Sequence, residues 1–336
     1  MQILKLLRLL LVAGLACGCS PRPQPDIRSE SDASGHVISL SFIGKNVVPS
    51  DLKQLSQHPD LQALRLQECS ALSDRAFAEV EQAAPSLRKL ELLRVPLSDD
   101  ALAHLARAVS LEELDLAHTN VTGSGLRYLE KTPLKKLTIH SRNVDPIAMA
   151  ALGELQSLRE LELHCQDISL EQLPVLGRVK QLESLVAFRT PVGPHGLDVL
   201  KGLVHLRKLT LNSVDISDQS VEVLNSLVAL EEVELANSLI TDEGLKALSL
   251  PKLKKLSLDG STKVTDKGLA NLQGMPSLES LMLGGTSVSG VDLTPLSTLR
   301  NLKELLLMGK QFKGNAATIE ALKALLPNCE VVIMRG

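Results

Sequence analysis

Aromatic side chains are nearly absent from this 336-residue chain, which has no Trp, one Tyr and four Phe. Aromatic anchors dominate tight protein interfaces, so any binding surface here works with few of them. Cysteine is scarce as well, and the five present are scattered apart from the close pair Cys17 and Cys19. Cys69 and Cys165 fall four repeat units apart, about 20 Å along a stack of strands, so no disulfide framework is expected. Neither charge dominates: 36 Lys and Arg against 39 Asp and Glu give a net charge of −3. Without a basic stripe, nucleic acid is not expected as a partner. The one continuous apolar stretch, residues 9–16, is too short for a spanning helix, which needs about 20 residues. A Walker loop, Gly-x-Gly-x-x-Gly, His-Glu-x-x-His and Cys-x-x-Cys are all missing from the long repetitive part of the chain. No cofactor is implied, and the chain is not expected to be an enzyme.

What the chain has is a repeated phrase. Leu-x-x-Leu-x-Leu is followed by a small polar residue and then by Ile/Val-Thr/Ser-Asp-x-Gly-Leu-x-x-Leu, clearest over residues 230–248. The first Leu of each copy is Leu61, Leu87, Leu111, Leu134, Leu158, Leu182, Leu206, Leu230, Leu253, Leu278 and Leu302. Successive spacings are 26, 24, 23, 24, 24, 24, 24, 23, 25 and 24 residues, a constancy of phase that leucine-rich composition alone does not produce. The first half alternates with period 2, as a strand with one buried face does. The second half places leucines at i and i+3, as on a helix face. One copy is therefore strand, turn and short helix. Ser73-Asp74, Ser98-Asp99, Ser217-Asp218, Thr241-Asp242 and Thr265-Asp266 recur just before the helical part. They read as helix caps, hydroxyl on free N–H groups and carboxylate at the positive helix end.

A single strand and helix cannot bury their apolar faces, so the copies must stack and their strands join in one parallel sheet. At this point the chain resembles the leucine-rich repeat family, over roughly residues 61–327, and within it the ribonuclease-inhibitor-like and cysteine-containing types. The slot three residues past the last strand Leu, which holds Cys in the latter type, carries Cys69, Thr119, Thr190, Ser238 and Thr286, but also Val95, Arg142, Gln166, Val214 and Lys310. The resemblance implies an α/β horseshoe solenoid with a parallel sheet on the concave face, short helices on the convex face, and protein bound by the concave face. Residues 36–60 read as an N-terminal capping copy, with Ile38, Leu40 and Phe42 alternating. Residues 328–336 read as a C-terminal cap strand.

The first residues carry an address. Lys5 and Arg8 precede the short apolar run, then come Cys17-Gly18-Cys19-Ser20 and a Pro-rich stretch. Residues 1–19 fit a secretory signal peptide, and the small residues ahead of the cysteines resemble the bacterial lipobox. The resemblance implies lipidation of Cys19, or alternatively of Cys17. Residues 20–35, rich in Pro, Ser and Asp, read as a flexible tether. The expectation is an exported, lipid-anchored protein of the cell envelope, on its periplasmic or surface face, that binds a protein or peptide. The alternative is a structural or assembly element of the envelope.

Candidate binding residues follow from the strand pattern, because positions three, five and seven of each copy point away from the core. The row so defined includes Arg65, Glu91, Asp115, Glu160, Glu162, His164, Val186, Phe188, Lys208 and Asn212 as candidate ligand contacts. Val186 and Phe188 make an apolar spot beside the acidic pair Glu160 and Glu162. Met282, Leu306 and Met308 leave an apolar end. His140 and His164 share position seven of adjacent copies, with Cys165 beside them and His118 one copy earlier. Such a cluster is compatible with Zn or Cu, but its neighbours in the row, Leu93 and Ala117, follow no pattern. It reads as solvent-facing side chains at strand ends, with no metal site.

Overall fold

Alternating leucines decide the strands. In each described copy positions four and six turn inward, as Leu64 and Leu66 do at 1% and 0% exposure. The structure is a computed structural model that describes residues 23–141, 146–165, 173–188, 196–212, 216–308 and 316–334. The expected signal segment, Cys17 and Cys19 lie outside the described residues. Fourteen strands form one open sheet in sequence order. They are β1 (Asp26–Ser31), β2 (Val37–Ile43), β3 (Ala63–Gln67), β4 (Lys89–Leu93), β5 (Glu113–Leu116), β6 (Lys136–Ser141) and β7 (Glu160–Cys165). The series continues with β8 (Ser184–Phe188), β9 (Lys208–Asn212), β10 (Glu232–Ala236), β11 (Lys255–Ser257), β12 (Ser280–Gly284), β13 (Glu304–Met308) and β14 (Glu330–Met334). From β2 onward every pairing is parallel and in register, so Leu40, Leu64, Leu90, Leu114 and their equivalents stack directly on one another. Their buried side chains form one apolar core that runs from Leu40 to Leu326. Strands lie about 4.8 Å apart while helices are about 10 Å across, so the sheet takes the concave side.

The tether expected over residues 20–35 is corrected in part. Asp26–Ser31 forms β1, antiparallel to β2, with a register irregularity at Glu30 and Ser31. Its sequence, Asp-Ile-Arg-Ser-Glu-Ser, has a single apolar residue and is almost wholly exposed. Backbone pairing rather than burial holds it, and its polar side chains cover the edge that β2 would otherwise leave open.

The helical halves are mostly short 3₁₀ turns, such as Asp99–Leu105 and Ser124–Leu129, with α-helix at Pro146–Glu154, Val221–Ser226, Asp242–Ala247, Asp266–Leu269 and Ala316–Leu325. The i, i+3 leucines explain the preference. In a 3₁₀ turn side chains three apart eclipse, which points Leu102 and Leu105, or Leu126 and Leu129, into the same core at 0% exposure.

The aspartates do something other than the expected capping. Ser98, Thr241 and Thr265 hydroxyls do accept from the N–H two residues on, at 3.4, 3.2 and 3.3 Å. The carboxylates instead reach across to the following copy. Asp74 accepts from the Ser98 N–H and hydroxyl at 2.8 and 2.6 Å, Asp218 from those of Thr241 at 2.8 and 2.7 Å, and Asp242 from those of Thr265 at 2.9 and 2.6 Å. Asp99 takes four donors, the Thr122 N–H and hydroxyl and the Gly123 and Gly125 N–H groups. Burial alone would push the Asp99 carboxyl up, but these donors outweigh it and hold the group below its ordinary value. Capping sequence and clamp are the same residues, and the clamp links neighbours.

The clamp also explains the glycine of the phrase. A methyl group on Gly268 would lie 2.4 Å from Asp242 Oδ1, and one on Gly244 would lie 2.0 Å from Asp218 Oδ1. Gly268→Ala is thus expected to expel the carboxylate and lower stability by about 1–3 kcal/mol. Asp242→Ala, which strands the Thr265 donors, is expected to cost a similar amount. Urea denaturation of the single and double variants checks both. The double variant should lose little beyond either single change, because one clamp is removed in each case.

Candidate functional site

Three rows of side chains stand on the outer face of the sheet, at positions three, five and seven. In the first, charges of opposite sign alternate and pair across strands: Lys89 with Glu113 at 3.5 Å, Lys136 with Glu160 at 3.0 Å, and Lys208 with Glu232 at 3.8 Å. A fourth, flanking row at position two does the same, with Lys135–Glu112 at 2.8 Å, Arg159–Glu183 at 2.5 Å, Lys254–Glu231 at 2.7 Å and Lys303–Glu279 at 2.6 Å. Exposed pairs of this kind contribute about 0–1 kcal/mol each, so they neutralise the surface more than they stabilise it.

Position five is different. Arg65, Glu91, Asp115, Thr138, Glu162 and Val186 are successive neighbours by register. Arg65 donates to Glu91 at 3.3 Å and to Gln67 at 2.6 Å, and Lys89 sits 3.0 Å from Glu91. Asp115 accepts from the Ala117 N–H at 2.9 Å, and among the described residues it has no ion-pair partner. Burial raises its carboxyl pKa, and the nearby Glu91 and Glu162 charges add to the effect. A hollow of about 340 Å³ opens over Glu91, Asp115, Thr138, His140 and Glu162, rimmed by Lys89, Glu113 and Lys136. A smaller one of about 120 Å³ lies over Glu160, Glu162, Val186 and Lys208. Glu162 belongs to both.

Position seven carries the rings. His140, His164, Phe188 and Asn212 are register neighbours on β6 to β9. The His140 and His164 centroids are 3.8 Å apart, and His164 stacks on Phe188 at 4.7 Å with planes 21° from parallel. His118 joins from position eight, its ring edge-on to His140 at 5.1 Å. It gets there through a left-handed backbone at φ 57°, a conformation shared in phase by Glu68, Arg94, Asn237, Gly260 and Gly285. Sequence phase located His140 and His164, but this turn is what swings His118 round to meet them. The expected solvent-facing side chains are therefore corrected: the His140, His164 and Phe188 rings are half-buried and packed, while His118 is exposed. His164 Nε2 lies 2.5 Å from a Glu162 carboxylate oxygen. His140 is pushed down to about 4, mainly by burial and then by His164 and His118, so it is neutral at physiological pH.

The candidate contacts thus separate. Glu91, Asp115, Glu160, Glu162, Val186 and Lys208 line the hollows. His164 and Phe188 form the ring stack, whereas Arg65 is engaged by Glu91 and Gln67 and Asn212 accepts from Asn237 at 3.0 Å. Lys136 and Thr138, absent from the residues chosen as candidate contacts, shape both hollows. The small residue past the strand proves structural. Cys69 donates to the Phe42 and Gln67 carbonyls at 3.3 Å, while Thr119 and Thr286 donate to the Leu116 and Leu283 carbonyls at 3.1 and 2.8 Å. Cys69, Cys165 and Cys329 are free, and burial pushes the first two thiols up to about 11.

An open parallel sheet backed by short helices, repeating every 24 residues, defines a solenoid with an extended concave surface of the kind these architectures use for binding. The family model described as Leucine Rich repeat matches residues 108–129 and 230–249. Among solved structures the fold is similar to that of an internalin from Listeria monocytogenes, at 17% identity and TM-score 0.60, over 89% of this chain and 82% of that one. It is also similar to a chain of the Rad7 and Elc1 complex in yeast, at 19% identity and TM-score 0.55, over 85% of this chain and 83% of that one. No curated protein matches the sequence. The fold is that of a leucine-rich repeat solenoid.

Asp115 gives a test of the hollow. Asp115→Asn keeps an acceptor for the Ala117 N–H and removes a carboxylate whose ionisation the fold opposes. A raised carboxyl pKa means that stability is lost as pH rises from the unfolded value through the folded one. The variant is therefore expected to melt above the wild type at pH 7, and the gap should close below pH ~3.8, where both side chains are neutral. Thermal melts at the two pH values check it.

Proposed function

We propose that this protein is a non-enzymatic binding module that receives a protein or peptide on its concave sheet, held at a membrane by a lipid on Cys19 or Cys17. One observation carries the binding reading. Between β4 and β8 the outer face breaks from its paired charges into a carboxylate-lined hollow beside a half-buried ring stack. Asp115, Glu91 and Glu162 favour a basic side chain in the hollow, and Phe188 with Val186 offers an apolar shelf next to it. A segment with Lys or Arg beside an apolar residue fits both. One of the similar folds comes from the Rad7 and Elc1 complex, which is consistent with protein binding but speaks to the fold alone. The anchoring reading rests on the sequence: a basic start, a short apolar run, and small residues before Cys17 and Cys19. Among the described residues no helix is long and apolar enough to cross a membrane.

Two measurements test these readings. Intact mass of the membrane-extracted native protein is expected to show diacylglycerol on Cys19 or Cys17, and an unmodified, soluble chain would remove the anchor. For binding, the partner recovered by crosslinking the native envelope is titrated against purified wild type and Phe188→Ala. The substitution is expected to weaken the complex by more than 1 kcal/mol, since Phe188 is the one Phe, Tyr or Trp on this face among the described residues. Unchanged affinity would move the interface elsewhere. Ordered self-association with no second protein would favour the structural alternative.

A further inference from the structure

The ring stack and the carboxylate hollow meet in one set of metal-ligating side chains. We propose that His140, Glu162 and His164 form a site for one divalent transition-metal ion, with zinc the ion that fits best. Their ligand atoms, one from each side chain, all lie within 4.8 Å of one another, and all three residues are half-buried. Two come from directly paired positions on β6 and β7, so parallel strands in register fix the spacing of the imidazoles. Glu162 is two residues before His164 on the same strand and the same face, which brings its carboxylate to the ring edge.

An independent observation points into this site. The Nε2 atom of His140 is buried and, among the described residues, has no hydrogen-bond partner. Buried polar atoms are normally paired, and leaving one without a partner costs about 1–3 kcal/mol. A cation there supplies the missing partner. It would also bridge the carboxylate and two rings that are otherwise held together without a shared counter-group.

The donor types select the metal. Two imidazole nitrogens and one carboxylate oxygen suit zinc, which takes N and O ligands at about 2.0–2.2 Å, and disfavour calcium and magnesium, which take oxygen. Two ligands on one such ion lie no more than about 4 Å apart. The present 4.8 Å spread therefore closes with side-chain movement of about 1 Å and leaves the strands in place. Three ligands leave a fourth position open toward the concave surface. His118, edge-on to His140, acts as a packing wall that limits how the His140 ring can turn.

The test uses untagged full-length protein stripped with a chelator, with Zn²⁺ and then Co²⁺ as probes, and needs no protein partner. Zinc titration against a chromophoric competitor is expected to give one ion per chain, and bound cobalt a tetrahedral visible spectrum. Glu162→Gln, which preserves shape, should weaken zinc binding at least about tenfold, as the loss of even an outer-shell partner does. His164→Gln should weaken it further and abolish the cobalt spectrum. Circular dichroism of the metal-free variants should match the wild type, and added zinc should raise the melting temperature of the wild type alone. Failure of zinc to bind, or equal binding by the Glu162→Gln/His164→Gln double variant, would overturn the site while leaving the concave-face reading intact.

Discussion

No copy of the repeat can close its own core, and everything else in the structure answers to that constraint. A five-residue strand and a short turn of helix expose most of their leucines until a neighbour covers them, so stability comes from the interface between copies. The solutions recur in phase. Leucines at positions one, four and six stack on their equivalents, and the carboxylates of Asp74, Asp99, Asp218, Asp242 and Asp266 bond to the following copy. The left-handed residue at position eight extends the ladder by one bond, as when the Glu68 N–H donates to Leu93 and the Arg94 N–H to Ala117. Even the positive φ of Glu68, Arg94 and Asn237, uncommon outside glycine, is tolerated because each gives that bond.

Against this regularity the stretch from β6 to β7 stands apart. Both strands run to six residues, and Ser141 and Cys165 continue the pairing where other copies have turned away. The extended backbone presents His140 and His164 squarely side by side. Desolvation then depresses His140, and burial and like charges raise Asp115, on adjoining strands. Groups held in their less favoured surroundings within one shallow hollow are where a fold gives up stability, and perturbed pairs of this kind concentrate at functional sites.

The solenoid was legible because burial is periodic and periodicity survives in sequence. Leu61 through Leu302 report the strand register directly, and Thr241-Asp242-x-Gly244 reports the start of each helix. What the sequence did not disclose are relations between copies. The destination of the Asp242 carboxylate lies 23 residues away at Thr265, and position within a copy says nothing about it. β1 escaped notice because Asp26–Ser31 has no alternation, and its pairing is made by backbone alone. The candidate contacts were legible as a face and not as a site. Period 2 places Arg65, Asp115 and Asn212 outward alike, but only the structure separates Asp115, which has no ion-pair partner among the described residues, from Arg65 and Asn212, which the side chains of neighbouring copies already engage.

That separation also explains why the proposed working surface is narrow. Rows two and three carry the most charge, yet opposite charges on neighbouring strands cancel in pairs such as Arg159–Glu183 and Lys136–Glu160. A partner approaching those rows would have to break existing pairs in order to form its own, for little net gain. Rows five and seven lack that alternation between β4 and β8: Glu91, Asp115 and Glu162 share one sign, and His140, His164 and Phe188 share ring character. Charge of one sign in a half-buried hollow is screened less than at an exposed surface, so attraction persists at physiological salt. The proposed binding therefore draws its selectivity from the stretch where the charge alternation lapses.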